Sequence, residues 1–217
     1  NFRATKEPYI SVGAIKPILD RDSLKHIARA IQQEIANELS RMRWLRVRLT
    51  EASAEDSKFY HLSGIISESL KGRHLSMNLV DADDGGAIVW SGRFCMVQSE
   101  QLEVISAVAS EVAGLIDPEI SRVEFLRARH SKQDELSKNG ALLLAISKIY
   151  SFEQMSWRSA GSLIDQAIAA DSYDSRALAY KSLHILTGAA QGWYSHSRRP
   201  LEDARYFSDK AIRNDRY

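Results

Sequence analysis

The chain has 217 residues, 44% of them hydrophobic and 26% charged, and its 29 Lys and Arg residues almost balance its 28 Asp and Glu residues. This length is enough for one or two domains with real cores. The balanced charge argues against a strongly basic nucleic-acid binder, and no apolar run approaches the roughly 18 residues that a membrane helix needs. With Cys95 as the single cysteine and no paired Cys/His spacing, we expect no disulfide, metal or cofactor.

The start of the chain predicts a strand, a helix and a second strand. The short apolar run at residues 9–15 ends at Lys16-Pro17, as a buried strand would. Behind Asp22, a good N-cap, apolar residues recur at intervals of three and four as far as Met42, which predicts an amphipathic helix. Residues 44–49 then alternate apolar and basic side chains, the pattern of a half-exposed strand.

Three further strand candidates follow at residues 61–67, 75–80 and 88–94, separated by turns at Gly72 and Gly85-Gly86. They predict an antiparallel meander. A helix that begins near Glu100 should end at Asp117, which could cap a new helix whose first residue is Pro118. The first domain, residues 1–117, is therefore predicted to be a βαβββα sandwich of the α+β class.

Residues 118–217 read as helices joined by brief polar segments, and they contain an internal repeat with an offset of 44 residues. The repeat pairs Ala160, Ala167, Ile168, Asp171 and Tyr173 with Ala204, Ala211, Ile212, Asp215 and Tyr217. Alanines in register let neighbouring helices approach closely, so the repeat predicts two helical hairpins of the tetratricopeptide type, with an insertion at residues 188–196. The aromatic residues expected to pack between these helices are Trp157, Tyr173, Tyr180 and Tyr206.

The two halves together resemble a TolB-like amino-terminal-type α/β domain followed by tetratricopeptide repeats. The similarity rests on the strand at residues 9–15, the helix at 30–42, and residues 45–47, 62–65, 74–82 and 88–90. The chain departs from the family pattern at the Pro-Phe of the first strand and at the Glu that precedes the position of Gly64. Such arrangements occur in bacterial transcriptional activators with winged-helix domains of the antibiotic-regulatory type, and in class III adenylate cyclases.

The resemblance implies a regulatory or interaction module and not an enzyme. We expect the non-catalytic part of a larger cytoplasmic bacterial protein, most simply a transcriptional regulator that contacts DNA only through a domain missing from this chain. The regulatory tail of a nucleotide cyclase and a periplasmic envelope assembly protein remain alternatives. A protein partner or a weak homodimer is expected, and no membrane. The start at Asn1, with no methionine and no signal-peptide pattern, also predicts a piece of a longer protein.

The sequence offers no catalytic constellation. The glycines form no GxSxG elbow, and Cys95 in or beside a strand is expected to be structural. Gly85-Gly86 lacks the Lys-Ser/Thr of a P-loop. Turn formation accounts for Asp81, Asp83 and Asp84 better than a cation site does. The helical histidines, His26 and His184, have no second ligand at i+4 and are expected to be surface or packing residues.

Two groups of residues are candidates for binding a partner. The stronger group lies in the insertion: Trp193, Tyr194, His196, Arg198 and Arg199. Aromatic and Arg side chains are typical of interaction hot spots; the alternative is that Trp193 and Tyr194 tuck under the helices. The weaker group is a basic patch formed by Arg41, Arg43, Arg46 and Arg48, for which the solvent face of a strand is the simpler interpretation.

Overall fold

A computed structural model describes residues 7–50, 60–70, 72–96, 102–132, 135–194 and 199–215. The chain divides into two compact units, Glu7–Arg122 and Val123–Tyr217. The first contains a five-stranded sheet with helices and the second is helical, so the α+β class is confirmed. Each unit is described by itself.

The first unit is built on a mixed sheet. Its elements are β1 (Tyr9–Pro17), α1 (Asp22–Ser40), β2 (Arg46–Leu49), β3 (Tyr60–Ser69), β4 (Gly72–Asp81), β5 (Ala87–Met96) and the beginning of α2 (Leu102–His130). The strand order is β2-β1-β3-β4-β5, and these five strands are one more than the four of the predicted βαβββα pattern. β1 pairs in parallel with both β2 and β3, and β3, β4 and β5 form the predicted antiparallel meander.

Alternate side chains of the central strands form the core of this unit. The fully buried strand residues include Ile10, Val12, Leu62, Leu75, Met77 and Leu79. Met77 lies in register between Gly64 of β3 and Gly92 of β5, and a Cβ atom at Gly64 would overlap its sulfur atom. The missing side chain of Gly64 therefore makes room for Met77 at the centre of the sheet, whereas that of Gly92 makes room for the Trp90 ring.

Helix α2 corrects the prediction of a break at Asp117-Pro118. The helix continues from Leu102 to His130 with Pro118 in its interior. A proline there removes one backbone hydrogen bond and costs about 3 kcal/mol in a helix. Ile116 and Ile120, on either side of it, are fully buried, and their burial offsets much of that cost because each large aliphatic side chain contributes about 1.5–3 kcal/mol.

The second unit contains the end of α2 and two helical hairpins. The first hairpin is α3 (Lys138–Ile149) with α4 (Gln154–Ala170), and the second is α5 (Ser175–Ala190) with α6 (Pro200–Asp215). The N-cap residues of α3 and α5, Ser137 and Asp174, accept hydrogen bonds from the backbone N–H groups of Gly140 and Ala177. The core cluster of this unit includes Leu136, Leu142, Ile149, Leu163 and Ile164.

The repeat alanines Ala160, Ala167, Ala204 and Ala211 are all buried, as close helix packing requires.

The prediction that four aromatic residues pack between these helices was wrong at two positions. Trp157 is buried and Tyr180 packs partly against the core, but Tyr173 is 75% exposed and Tyr206 is 57% exposed. Tyr173 lies in the turn between α4 and α5, beyond the end of the helical face that is buried. Tyr206 follows Ala204 by two residues, which turns it away from the buried side of α6.

Candidate interaction site

The aromatic side chains predicted to form a binding site belong to a cluster in the helical unit. This aromatic cluster consists of Trp157 on α4, His184 on α5, and Trp193 and Tyr194 after α5. Trp157 lies at its centre. Its ring centroid lies 5.4 Å from that of Trp193 and 5.3 Å from that of Tyr194. These are the tilted and edge-to-face arrangements that aromatic pairs prefer.

The contact between Trp157 and His184 is reciprocal. Their rings stack at 4.6 Å with an interplanar angle of 5°. The indole Nε1–H of Trp157 donates to the backbone carbonyl of His184 at 2.8 Å. The imidazole Nε2 lies 2.8 Å from the backbone carbonyl of Trp157 and must donate, because a carbonyl oxygen only accepts. Two hydrogen bonds and a stacked pair therefore join α4 to α5 at one point.

Two glycines permit this approach. Gly161 follows Trp157 by one helical turn, and Gly188 follows His184 by one turn. A Cβ atom at Gly161 would lie 2.9 Å from His184 Cε1, and one at Gly188 would overlap the Trp157 ring. Each ring thus lies over the glycine of the opposite helix. The sequence contains a signal for this contact in the matched spacings of Trp157-Gly161 and His184-Gly188, but the sequence analysis did not identify it.

The surroundings of His184 favour the neutral form of its ring. Burial lowers the pKa of His184, the Lys181 ammonium lowers it further, and the hydrogen bond with the Trp157 carbonyl and the Asp165 carboxylate act in the opposite direction. Because Nε2 carries the proton, Nδ1 of the neutral ring is an acceptor. That atom is buried, and among the described residues it has no hydrogen-bond partner. Protonation of this ring would place a charge in an apolar setting.

The structure locates three of the five residues predicted to bind a partner. Trp193 and Tyr194 are half-buried against Trp157, which corresponds to the alternative in which these rings tuck under the helices. Arg199 is exposed and pairs with Glu202 at 3.1 Å. His196 and Arg198 lie outside the described residues. A binding role for this segment stays a prediction.

The basic patch is divided between two places. Arg41 and Arg43 follow α1, whereas Arg46 and Arg48 lie in β2. Arg46 pairs with Glu7 at 2.7 Å, and Arg41 pairs with Glu38 at 2.9 Å. These neighbouring carboxylates offset part of the positive charge of the basic patch.

The strand predicted at residues 44–49 was too long, because Trp44 and Leu45 lie before β2 in a turn where both are buried.

A buried polar pair that the sequence analysis did not identify lies in the first unit. Ser11 of β1 and His61 of β3 are register partners, and the Ser11 hydroxyl lies 2.8 Å from His61 Nδ1. Burial lowers the pKa of His61. Ser11 Oγ also lies 3.3 Å from the Tyr60 carbonyl, and both members of the pair are more than nine-tenths buried. A Ser/His pair so enclosed is a satisfied structural contact, since a nucleophile must be reachable by its substrate.

Two further predictions concern possible reactive groups. The Asp81 carboxylate accepts a hydrogen bond from the Asp83 backbone at 3.1 Å, the turn-forming role expected of it. Cys95 lies in β5 with its side chain exposed, so it is not packed in the core as a structural thiol would be.

Within the described parts of the chain, no group of three His, Cys, Asp or Glu residues could hold a metal ion. No helix among the same residues is both long and apolar enough to cross a membrane.

No protein-family model matches the chain, and no curated protein matches it in sequence. Among solved structures, it is similar to the PelC dodecamer from Paraburkholderia phytofirmans, with a TM-score of 0.37 and 22% identity over 52% of this chain and 91% of PelC. A point variant of that dodecamer gives a TM-score of 0.36 and 23% identity, covering 52% of this chain and 88% of the variant. TolB from Acinetobacter baumannii gives 0.37 and 12% identity, and the match covers 53% of this chain and 28% of TolB.

Proposed function

We propose that this chain is the non-catalytic regulatory and interaction region of a larger bacterial signalling protein in the cytoplasm, most simply a transcriptional regulator whose DNA-binding domain is missing from it. We further propose that the helical unit is a tetratricopeptide-type array and that the sheet unit is a TolB-like domain. The resemblance of the sequence to such regulators supports the first part. The repetition of the two helical hairpins supports the tetratricopeptide-type array.

The observation that carries the proposal is the way in which each hairpin is closed. In the first hairpin, Asp171 after α4 pairs with Lys138, the first residue of α3, at 3.0 Å. In the second, Asp215 at the end of α6 accepts a hydrogen bond from Ser175, the first residue of α5, at 3.1 Å. Equivalent aspartates thus perform the same task twice. Hairpins that repeat in this way stack into arrays that present extended binding surfaces.

The surface that we propose for self-association lies on α6. On α4, the positions Trp157, Gly161, Ile164 and Ile168 are covered, and the first two contact α5. The repeat maps Trp157 to Leu201 and Ile168 to Ile212. Leu201 is 67% exposed and Ile212 is 52% exposed. A second copy of the chain would bury these two exposed aliphatic side chains, between which Arg205 and Ser208 take the places of Gly161 and Ile164. Burial of the two aliphatic side chains supports a weak homodimer.

Sedimentation velocity at several protein concentrations tests this assignment. The mass should rise above the 24.4 kDa of one chain as concentration increases. A Leu201→Glu/Ile212→Glu variant should remain monomeric, because a charge cannot be buried unpaired in the contact. Met155→Glu is the matched control, since Met155 is 74% exposed on α4, and this variant should associate like the parent chain. A strictly monomeric parent, or association that the double variant retains, would refute self-association through α6.

The reading frame that encodes the chain tests the regulatory role. A winged-helix domain encoded upstream supports a transcriptional regulator, and a class III cyclase domain supports the alternative of a regulatory tail. A signal peptide directly upstream of Asn1 would instead favour a periplasmic assembly protein. An upstream segment with neither a DNA-binding nor a signalling domain would remove the main support for the proposal.

A further inference from the structure

The helical unit contains an open cavity of about 630 Å³ that the sequence analysis did not anticipate. Residues from the end of α2, from α3, from α4 and from the segment between α2 and α3 line it. Its volume falls within the range of about 300–1,000 Å³ that is usual for small-molecule sites.

The lining is apolar where it is buried and polar where it is exposed. Leu136 and Leu163 are buried members of the helical core, and they also line the cavity. The exposed part of the lining includes Arg129, Ser147 and Ser159. An apolar interior with a few polar groups at the mouth is typical of sites that bind small organic molecules.

Among the described residues, the charged side chains of the lining are both cationic. These are Arg129 and Lys148, and no described Asp or Glu lines the cavity. The guanidinium of Arg129 lies 5.8 Å from the centroid of the Phe125 ring, which also belongs to the lining, and such a contact holds the cation in place.

Several other cations of this unit are paired with carboxylates. Lys138 pairs with Asp171 and Asp174, Lys181 pairs with Asp165, and Arg127 pairs with Glu124. Within the described residues, neither Arg129 nor Lys148 forms an ion pair. Their charges are therefore available to a ligand.

We infer that this cavity binds a small organic anion with an apolar body, of which a medium-chain carboxylate is the simplest example. The carboxylate would lie between Arg129 and Lys148, where charge-assisted hydrogen bonds are strong. The exposed hydroxyls of Ser147 and Ser159 supply further donors, and the apolar chain would cover Leu136 and Leu163. This inference goes beyond the proposed function and does not depend on it, because it concerns one unit and a ligand instead of a partner protein.

Isothermal titration calorimetry with sodium octanoate tests the inference, with 1-octanol and octyltrimethylammonium as the neutral and cationic probes of equal chain length. Octanoate should bind, and both other probes should bind at least about 10-fold more weakly, because the cations contribute only to binding of the anion. Arg129→Gln and Lys148→Gln should each weaken octanoate binding by about 10-fold. Arg158→Gln is the matched control, since Arg158 is an exposed cation of α4 that does not line the cavity.

Three results would each overturn the inference: no heat from octanoate up to about 10 mM, equally strong binding of 1-octanol, or an equal loss in Arg158→Gln. Circular dichroism of each variant shows whether it is folded. Amide chemical shifts of the unsubstituted chain provide an independent readout. Octanoate should shift the Ser147 and Ser159 amides, and shifts confined to the sheet unit would also overturn the inference. A chain that is monomeric and binds octanoate would contradict the proposed self-association but not the proposed ligand site.

Discussion

Two glycines inside helices have opposite surroundings, and alanine should have opposite effects at them. At Gly188 of α5, a Cβ atom would overlap the Trp157 ring, whereas at Gly114 of α2 no described atom beyond the adjacent residues and the helix's own backbone lies within 4 Å of the Cβ position. Overpacking in a well-packed contact costs about 1–3 kcal/mol, and replacing an unstrained helical glycine with alanine gains up to about 1 kcal/mol. Gly188→Ala should therefore lower the free energy of unfolding by about 1–2 kcal/mol, and Gly114→Ala should raise it slightly.

Urea unfolding followed by circular dichroism measures both glycine variants. Gly114→Ala is the control for the general effect of alanine on helix stability. If Gly188→Ala were as stabilising as Gly114→Ala, the close contact between Trp157 and α5 would be wrong.

The stability of the helical unit should depend on pH through His184. Its pKa in the folded chain lies below the ordinary value of 6.5, so the unfolded chain binds a proton that the folded chain does not. Stability must then rise with pH across this interval, and it is lost as the pH falls below about 6.5. His184→Gln should flatten this dependence, because the amide can still donate to the Trp157 carbonyl but does not titrate.

Tryptophan fluorescence can follow this unit alone. In a Trp44→Phe/Trp90→Phe background, only Trp157 and Trp193 of the four tryptophans remain, and both lie in the helical unit. This background also removes the fluorescence signal of the sheet unit, where burial lowers the pKa of His61. If urea midpoints changed equally with pH in the His184→Gln variant and its parent, another group would be responsible.

At the scale of single elements, the sequence predicted the strands and helices whose own buried residues recur at a regular spacing. The meander was visible because alternate residues of β3 and β4, such as Leu62 and Leu75, face one core, and this produces a period of two in the sequence. The same holds for α1, where Leu24, Ile27 and Ile31 are buried at helical spacing. These elements carry their structural signal in their own sequence.

Other elements depend on residues distant in the sequence and could not be predicted. Pro118 has the local signature of a helix start, but the buried residues around it keep α2 continuous. Tyr173 and Tyr206 have the composition of core residues, but their positions on the hairpins leave them exposed. Local propensity cannot show which of several apolar residues will have a neighbouring helix to cover it.

The candidate site was predictable only in part for the same reason. Trp193 and Tyr194 were identified from composition, whereas His184 was not, because its contact with Trp157 joins residues 27 positions apart in the sequence. That contact depends on the packing of α5 against α4. The cavity beside Arg129 and Lys148 arises between helices, and no local pattern encodes a space between elements.

At the scale of the whole molecule, the chain divides into two compact units, and we expect that destabilising one leaves the other folded. Leu163 belongs to the helical core, and Leu79 is its counterpart in the sheet unit. Replacing a buried leucine with alanine costs about 2–5 kcal/mol. Hydrogen exchange measured by mass spectrometry should therefore show lost protection in α3 and α4 for Leu163→Ala, with protection in β3 and β4 unchanged.

Leu79→Ala should give the mirror result, with protection lost in β3 and β4 and retained in the helical hairpins. The pair of variants distinguishes two separate cores from one cooperative core, because a single core would lose protection everywhere for either substitution. Helix α2 is the sensitive reporter, since its residues up to Arg122 belong to the sheet unit and those from Val123 onward belong to the helical unit. Its two ends should respond to different variants, and an equal response of both ends to both variants would show that the units unfold as one.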